Sequence, residues 1–393
     1  MQRLCEHKSC MGCAACANSC PKGCIHMEAD GEGFLYPRID EAVCISCNRC
    51  STVCPVLSRS SKTPLDAPKA YAAHNLDENI VGSSSSGGVF TALAQNVLAE
   101  GGVVYGASFR ENFSVAHCRA ETADQLYTFR GSKYAQSDVA LSYQQVRDDL
   151  NAGRKVLFSG TPCQVAGLRC FLGKDYSDLL CVDIICHSVP SPKVWQEYLR
   201  ELQEKADEKI TSASFRDKRE NWKGYYLRIG FADGREDLRR GNDNYYMKAF
   251  IQGLSTRQSC YNCSFKGQNR GSDITLGDFW GIEKVCSEAY YDKGTSLVLI
   301  QSEKGQMVFE KIASRLEILE VNSSAALQGN PAYNQVFLPH RNREIFFRAL
   351  GQEPLEQLVT RLLAPTKREL LRQKWNGSLL CRGLRKIKHI ISK

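Results

Sequence analysis

The chain has 393 residues, of which 43% are apolar and 24% charged, the proportions of an ordinary soluble globular protein of two or three domains. It contains no run of 18 apolar residues, and the opening MQRLCEHKSC lacks the apolar stretch of a secretory signal, so neither a transmembrane helix nor secretion is expected and the expected location is cytoplasmic. The formal net charge is +8, yet ten Lys or Arg and a single acid lie between Arg361 and Lys393; the body is close to neutral, which argues against a nucleic-acid binder.

Ten of the nineteen cysteines fall within the first 54 residues. In a reducing cytosol such a concentration reads as metal ligands and not as disulfides. Cys10-x2-Cys13-x2-Cys16-x3-Cys20-Pro21 recurs as Cys44-x2-Cys47-x2-Cys50-x3-Cys54-Pro55 at a constant offset of 34, the mark of an internal duplication. Two-residue spacers let three thiolates close around one 4Fe-4S cubane, and in two-cluster ferredoxins the fourth Cys serves the other cluster. The expected ligand sets are therefore Cys10, Cys13, Cys16 and Cys54 for one cluster, and Cys44, Cys47, Cys50 and Cys20 for the second. A zinc module, usually two CxxC pairs, fits this spacing poorly. Cys5 and Cys24 stand outside the pattern and read as bystanders.

Residues 58–69, rich in Ser, Pro and charge, read as a linker. Beyond them Ser83-Ser84-Ser85-Ser86-Gly87-Gly88 precedes an expected helix from Val89 to Ala99, closed by Gly101-Gly102. Hydroxyls, glycines and a helix N-terminus together suit a phosphate, although a Ser/Gly run also reads as a plain loop. Val103 to Gly106 is an expected strand. Gly131-Ser132-Lys133-Tyr134 places a cation and an aromatic ring in a glycine turn, either a ligand contact or a surface turn. Strands are expected at 154–160, 179–186, 225–231 and 272–280; alternation of strands with helices favours α/β architecture.

Four later cysteines sit at element ends: Cys163 after Gly160-Thr161-Pro162, Cys186 before His187, and the pair Cys260 and Cys263. Three readings compete. The four supply a third cluster; or Cys163 is a reactive thiolate; or all are buried and inert. Cys118, Cys170, Cys181, Cys286 and Cys381 read as structural. In the tail, Leu380, Leu384, Ile387 and Ile391 fall on one helical face with Arg382, Arg385 and Lys386 largely elsewhere, a pattern for an anionic membrane surface or for a helix docked on the body.

In order, these landmarks resemble the family of coenzyme F420 hydrogenase/dehydrogenase beta subunits, in the bacterial form with an N-terminal two-cluster ferredoxin. The segments that carry the resemblance are SSSSGGVFTALA (83–94), GGVVYGASF (101–109), RGSKYAQS (130–137), VLFSGTPCQVAGL (156–168), VDIICHSVPSP (182–192), SFRDK (214–218) and SCYNCSFKGQNRGSDITLGDFWG (259–281). Ser188 and Ser264 depart from the Gly and Pro usual there.

The resemblance implies a ferredoxin domain (1–57), a linker (58–69), a flavin-site region (70–150), a C-terminal beta-subunit region (151–335) and a helical basic tail (336–393). It implies an FAD-containing iron–sulfur oxidoreductase that exchanges electrons with a ferredoxin or similar redox protein and acts on an organic substrate or coenzyme; the alternative is a flavin-free electron-transfer or docking subunit. It favours Ser85, Ser86, Gly87, Gly88, Gly131, Ser132, Lys133 and Tyr134 as walls of the FAD site, with Lys133 as the candidate contact to flavin or substrate. It also favours Cys163, Cys186, Cys260 and Cys263 as a third cluster site.

Overall fold

The computed structural model describes residues 4–58, 67–268 and 270–366. Most of the expected linker and the basic tail beyond Thr366, with its apolar face and Cys381, lie outside the described residues.

The N-terminal module pairs β1 (Ile25–Ala29) with β2 (Leu35–Ile39) in an antiparallel hairpin. A short helix lies on either side, at Ala15–Ser19 and Arg49–Thr52. The 34-residue repeat is visible in the backbone. Gly12 and Ser46 have φ of 66° and 53°, and Ala14 and Asn48 both have φ of 60°. Side-chain-bearing residues pay roughly 1–2 kcal/mol in this left-handed region. Its recurrence at the same offset indicates that the cysteine loops themselves demand the bend.

The remaining strands are β3 (Lys69–Asn75), β4 (Val103–Phe109), β5 (Val115–Ala120), β6 (Val156–Gly160), β7 (Leu179–Ile184), β8 (Ile210–Asp217), β9 (Tyr226–Phe231), β10 (Glu236–Arg240), β11 (Ile274–Asp278), β12 (Ser296–Ile300) and β13 (Leu316–Val321). Strands β10, β9 and β8 form a small antiparallel sheet; the main sheet has the order β13-β3-β12-β11-β7-β6-β4-β5. Strands β4, β6, β7 and β11 are mutually parallel, while the strands to either side run antiparallel. The apolar runs of β6 (VLF), β7 (LLCV) and β12 (LVLI) suit central strands covered on both faces, and these residues are buried. The mixed α/β architecture expected from sequence is present. Strands before and after residue 150 join one sheet, so the regions expected at 70–150 and 151–335 share a single scaffold.

The helix Val89–Ala99 has the bounds expected, and Gly101 beyond it has a φ of 73°. Two helices, Arg343–Ala349 and Leu355–Leu363, stand near the C-terminal end of the described residues. Among the described residues no helix is long and apolar enough to cross a membrane.

Candidate functional site

Parallel strands place ligands beyond their carboxyl ends. That edge of the main sheet is marked by Gly160 of β6, paired with Asp183 of β7, and by Asp278 of β11, paired with Ser296 of β12 and through it with Ala73 of β3. The Ser/Gly run, Cys163 after Gly160-Thr161-Pro162, Cys186 after β7 and the GDFWG segment lie at or near this edge.

The first two cysteine sets occupy the N-terminal module. Cys10, Cys13, Cys16 and Cys54 line one cavity; Cys20, Cys44, Cys47 and Cys50 line another. Cys20 and Cys54 thus each lie with the other repeat's cysteines. Backbone N–H groups of Gly12, Ala15 and Ala17 reach the sulfurs of Cys10, Cys13 and Cys16, and those of Val56 and Leu57 reach Cys54. Such donors favour thiolate and suit an anionic cluster. Cys5 and Cys24, read from sequence as bystanders, also line these cavities. The Cys5 thiol bonds Cys10 and Cys54 and holds both near 6, while Cys24 Sγ lies 3.4 Å from Cys20 Sγ. Among the described residues no three His, Cys, Asp or Glu side chains stand close enough for one metal ion. A cubane interposes several atoms between its thiolates, so open sulfur sets suit a cluster better than a tetrahedral ion.

The later cysteines converge as a third set. Cys163 is the second residue of the helix Pro162–Leu172, whose Thr161 and Gln164 form a reciprocal cap; Thr161 Oγ1 lies 3.1 Å from Cys163 Sγ. Cys186 follows β7, and Cys260 and Cys263 come from a turn of 3-10 helix. Cys163 senses the charges of Cys263 and Cys186, and Cys260 those of Cys163 and Cys263. Burial, then these sulfurs, push Cys163, Cys186 and Cys260 up to about 12. Thiols pushed up in this way, as in Cys163, Cys186 and Cys260, ionise together only when a cation joins them. The Oγ atoms of Ser255 and Ser259, on the Cys260 segment, are buried without a partner, which suits sulfide acceptors nearby. Ser188 has no positive φ; its hydroxyl lies 3.1 Å from His187 Nδ1 and 3.2 Å from Thr256 Oγ1. A serine therefore fits beside Cys186 without strain.

The three sets are contiguous. Cys16 senses the charge of Cys50, which lines both module cavities, and Cys13 senses that of Cys163. Gly167 on the Cys163 helix has its Cα hydrogen turned to Cys13, whose Sγ would lie 3.0 Å from a Cβ there.

The Ser/Gly run and the glycine turn also meet. Ser85 Oγ lies 2.9 Å from Ser132 Oγ and receives the Ser132 N–H at 2.6 Å. Ser86 Oγ donates to the Thr295 carbonyl, and Gly87 N–H to Ser296 Oγ. A Cβ on Gly87 would run into the Ala73 carbonyl oxygen. Lys133 Nζ donates to the carbonyls of Thr128 (2.8 Å) and Arg130 (2.9 Å), and burial pushes it down to about 7. Gly131, at φ 78°, makes this turn, while Gly88, also at φ 78°, caps the helix Val89–Ala99.

Sequence reasoning singled out Lys133 but missed the other cations of this site. Arg216, on β8, pairs with Asp278 at 2.7 Å, lies over the Tyr225 ring and points Nη1 toward the Tyr134 hydroxyl at 3.4 Å. Lys218 Nζ donates to the carbonyls of Ser86 and Val81. Arg130 Nη1 donates to Ser83 Oγ. The Nε atoms of Arg130 and Arg216 are buried without partners beside the same loop, so the residues present fit an anionic group such as a cofactor phosphate. The only advance signal was that SFRDK and GDFWG belonged to the segments of resemblance.

Residues 9–57 match the 4Fe-4S dicluster domain, residues 70–142 the N-terminal part of the coenzyme F420 hydrogenase/dehydrogenase beta subunit, and residues 153–324 its C-terminal part. The F subunit of F(420)H(2) dehydrogenase from Methanosarcina mazei is 23% identical over 212 residues, 50% of this chain. The matched part spans 59% of that relative's length. An uncharacterised protein in the rpl9-rpl11 intergenic region of Porphyra purpurea is 41% identical over 51 residues, 12% of this chain and 67% of that protein. A chain of the F420-reducing [NiFe] hydrogenase complex from Methanosarcina barkeri superposes with a TM-score of 0.45 at 17% identity, over 77% of this chain and 92% of that one. The two adjoining beta-subunit models together cover more than half of the chain, which belongs to the family of coenzyme F420 hydrogenase/dehydrogenase beta subunits and carries a 4Fe-4S dicluster domain at its N-terminal end.

Proposed function

We propose that this chain is an iron–sulfur flavoprotein oxidoreductase that passes electrons between a ferredoxin-like protein and an organic substrate or coenzyme. The contiguity of the three cysteine sets carries this reading: sulfur-lined sites follow one another from the module to the sheet edge where the Ser/Gly loop lies. Cys10, Cys13, Cys16 and Cys54 would hold one 4Fe-4S cluster, and Cys44, Cys47, Cys50 and Cys20 another. Cys163, Cys186, Cys260 and Cys263 would hold a third.

FAD would sit against Ser85, Ser86, Gly87, Gly88 and the turn Gly131 to Tyr134, with Arg130 and Arg216 offering their buried Nε–H groups to its phosphates. A flavin, when bound, interconverts one-electron and two-electron transfer, the chemistry needed between clusters and an organic partner. The protein's own part is to bury the donors, exclude water and keep Lys133 and Arg216 beside the loop.

The redox partner would dock where the cluster set is most exposed. Cys47 is exposed, and Val43 and Ile45 beside Cys44 are 46% and 56% exposed apolar residues. Such a rim suits a transient protein contact. The chain would work in the cytoplasm.

The alternative of a flavin-free electron-transfer subunit draws on one observation: the hydroxyls of Ser85 and Ser86 and the ammonium of Lys133 already have protein partners. Absorption spectra and iron, sulfide and flavin assays on anaerobically purified protein separate the two. About twelve iron atoms and one bleachable flavin per chain support the enzyme reading. Cluster absorption with no flavin, even after FAD is added, leaves the carrier.

A further inference from the structure

Arg257 is 1% exposed, among the largest buried side chains of the protein, and has no carboxylate partner among the described residues. A buried guanidinium without a carboxylate is costly unless another anion compensates. Its contacts reach both ways. Nε donates to the Cys10 carbonyl at 2.9 Å, in the first loop of the module. Nη1 donates to Gln136 Oε1 at 3.3 Å, and that same oxygen receives the Leu35 N–H at 3.0 Å. The guanidinium carbon stands 3.9 Å from the Tyr36 ring centre. On the other side, the Arg257 N–H bonds the Val189 carbonyl and the Arg257 carbonyl receives the Cys260 N–H. Nη2 is buried with no partner at all. The charge is felt at Cys10 in one sulfur set and at Cys163 and Cys260 in the other.

We propose that Arg257 is a positioning residue between two clusters: its buried guanidinium supplies the counter-charge shared by the Cys10/Cys13/Cys16/Cys54 site and the Cys163/Cys186/Cys260/Cys263 site, and so sets the reduction potentials of both. This rests on the reading that both sites hold clusters. Each reduction adds one electron to an already anionic group, and a fixed cation in a poorly polarisable interior favours the reduced form. Placed between two such groups, it also screens them from one another, so that an electron on one does not bar an electron from its neighbour. Arg257 bonds the Cys10 loop of one inner set directly, and the cluster held by Cys44, Cys47, Cys50 and Cys20 serves as the reference for comparison.

The experiment is an anaerobic redox titration of full-length protein followed by electron paramagnetic resonance. Arg257→Gln removes the charge, Arg257→Lys keeps it, and Gln136→Glu places a carboxylate on the guanidinium while retaining the acceptor oxygen. Expected for Arg257→Gln and Gln136→Glu is a fall in midpoint potential of the two inner clusters of at least tenfold in the reduction equilibrium, about 59 mV for one electron. The outer cluster should stay fixed, and Arg257→Lys should lie near the parent. Unchanged inner potentials in both charge variants overturn the proposal. So does loss of the inner clusters from both variants, which leaves Arg257 a purely structural role. Iron and sulfide assays of the unaltered protein test the underlying reading separately: two clusters instead of three would remove the Cys163 site whatever the variants do.

Discussion

Glu32, at the tip of the β1–β2 hairpin, accepts both terminal nitrogens of Arg343, a residue 311 positions further along the chain. The same guanidinium donates to the Thr256 carbonyl beside Arg257. Ser191 Oγ adds a bond to the Glu32 carbonyl, Phe34 is wholly buried beneath the hairpin, and Asn18 donates to the Ala140 carbonyl at 2.7 Å. The ferredoxin module is therefore fixed on the body by buried polar ties as well as apolar area, which keeps Cys13 against the Cys163 helix. Arg343→Ala leaves Glu32 half-buried and unpaired, and the expected loss is about 3 kcal/mol. Urea unfolding of anaerobic protein checks it; a loss within 0.5 kcal/mol, roughly the effect of a surface change, would show that the tie is idle.

The crossed cavities give a second expectation. Cys54→Ser should damage the cluster shared with Cys10, Cys13 and Cys16 and spare the other; Cys20→Ser should do the reverse. Iron content and the resonance signals of each variant decide it. If Cys54→Ser instead damaged the cluster of Cys44, Cys47 and Cys50, each repeat would supply its own four ligands. The fifth thiols, Cys5 and Cys24, lie close enough to substitute, so the variants are best compared with and without Cys5→Ala and Cys24→Ala.

The module was legible in the sequence because a cubane forces its ligands into short spacings, and the duplication repeated the signal. The third set was legible only as three open readings. Its members lie up to 100 residues apart, and only the parallel register of β6 and β7 brings Cys163 beside Cys186. Arg257 left no trace, since a single buried arginine has no spacing to betray it, and Arg216 and Lys218 showed only as members of the SFRDK segment. Strand β10, EDLRR, is too charged to read as a strand, and it pairs because β9 presents a complementary edge. The helix Val89–Ala99 was plain because glycines bound both its ends.

His117 predicts how stability follows pH. Its Nδ1 lies 2.8 Å from Ser137 Oγ and its Nε2 3.0 Å from the Ser159 carbonyl, which fixes the proton on Nε2 and makes Nδ1 the acceptor. Burial holds it down to about 4, against a weak opposing pull from Ser159 and Asp138. A folded-state pKa below the unfolded value means that the unfolded chain binds the extra proton. The stabilisation is thus complete above about 6.5 and is lost as pH falls toward 4, up to ~3 kcal/mol in all. Urea midpoints between pH 5 and 7.5 should fall less steeply for His117→Gln than for the parent; equal slopes would mean that other groups govern the acid limb.

Gly87 tests the loop that faces the proposed flavin. Its Cα packs on the Ala73 carbonyl and on Ser296 N, so a methyl group there must displace backbone on both sides. Gly87→Ala should cost about 1–3 kcal/mol and lower FAD occupancy by shifting Ser85 from Ser132. Gly131→Ala is the comparison, because it has open space and only its φ of 78° resists the change. Equal FAD occupancy in Gly87→Ala and the parent would place the flavin away from this loop.

Lys133 gives that site its own pH dependence. The ammonium is held by two carbonyls and, with burial pushing it down to about 7, it is charged below neutrality and increasingly neutral above. An anionic ligand against Ser85 and Ser132 would feel that charge at short range in a poorly hydrated setting, where a unit charge is worth several-fold more than in water. The parent should therefore bind FAD more tightly at pH 6 than at pH 8. Lys133→Ala should weaken binding about tenfold at pH 6, some 1.4 kcal/mol, and much less at pH 8. Fluorescence titration of flavin-stripped protein at the two pH values measures both. Parallel losses at pH 6 and pH 8 would instead assign Lys133 to holding the turn at Thr128 and Arg130, and no loss at either would take it out of the site.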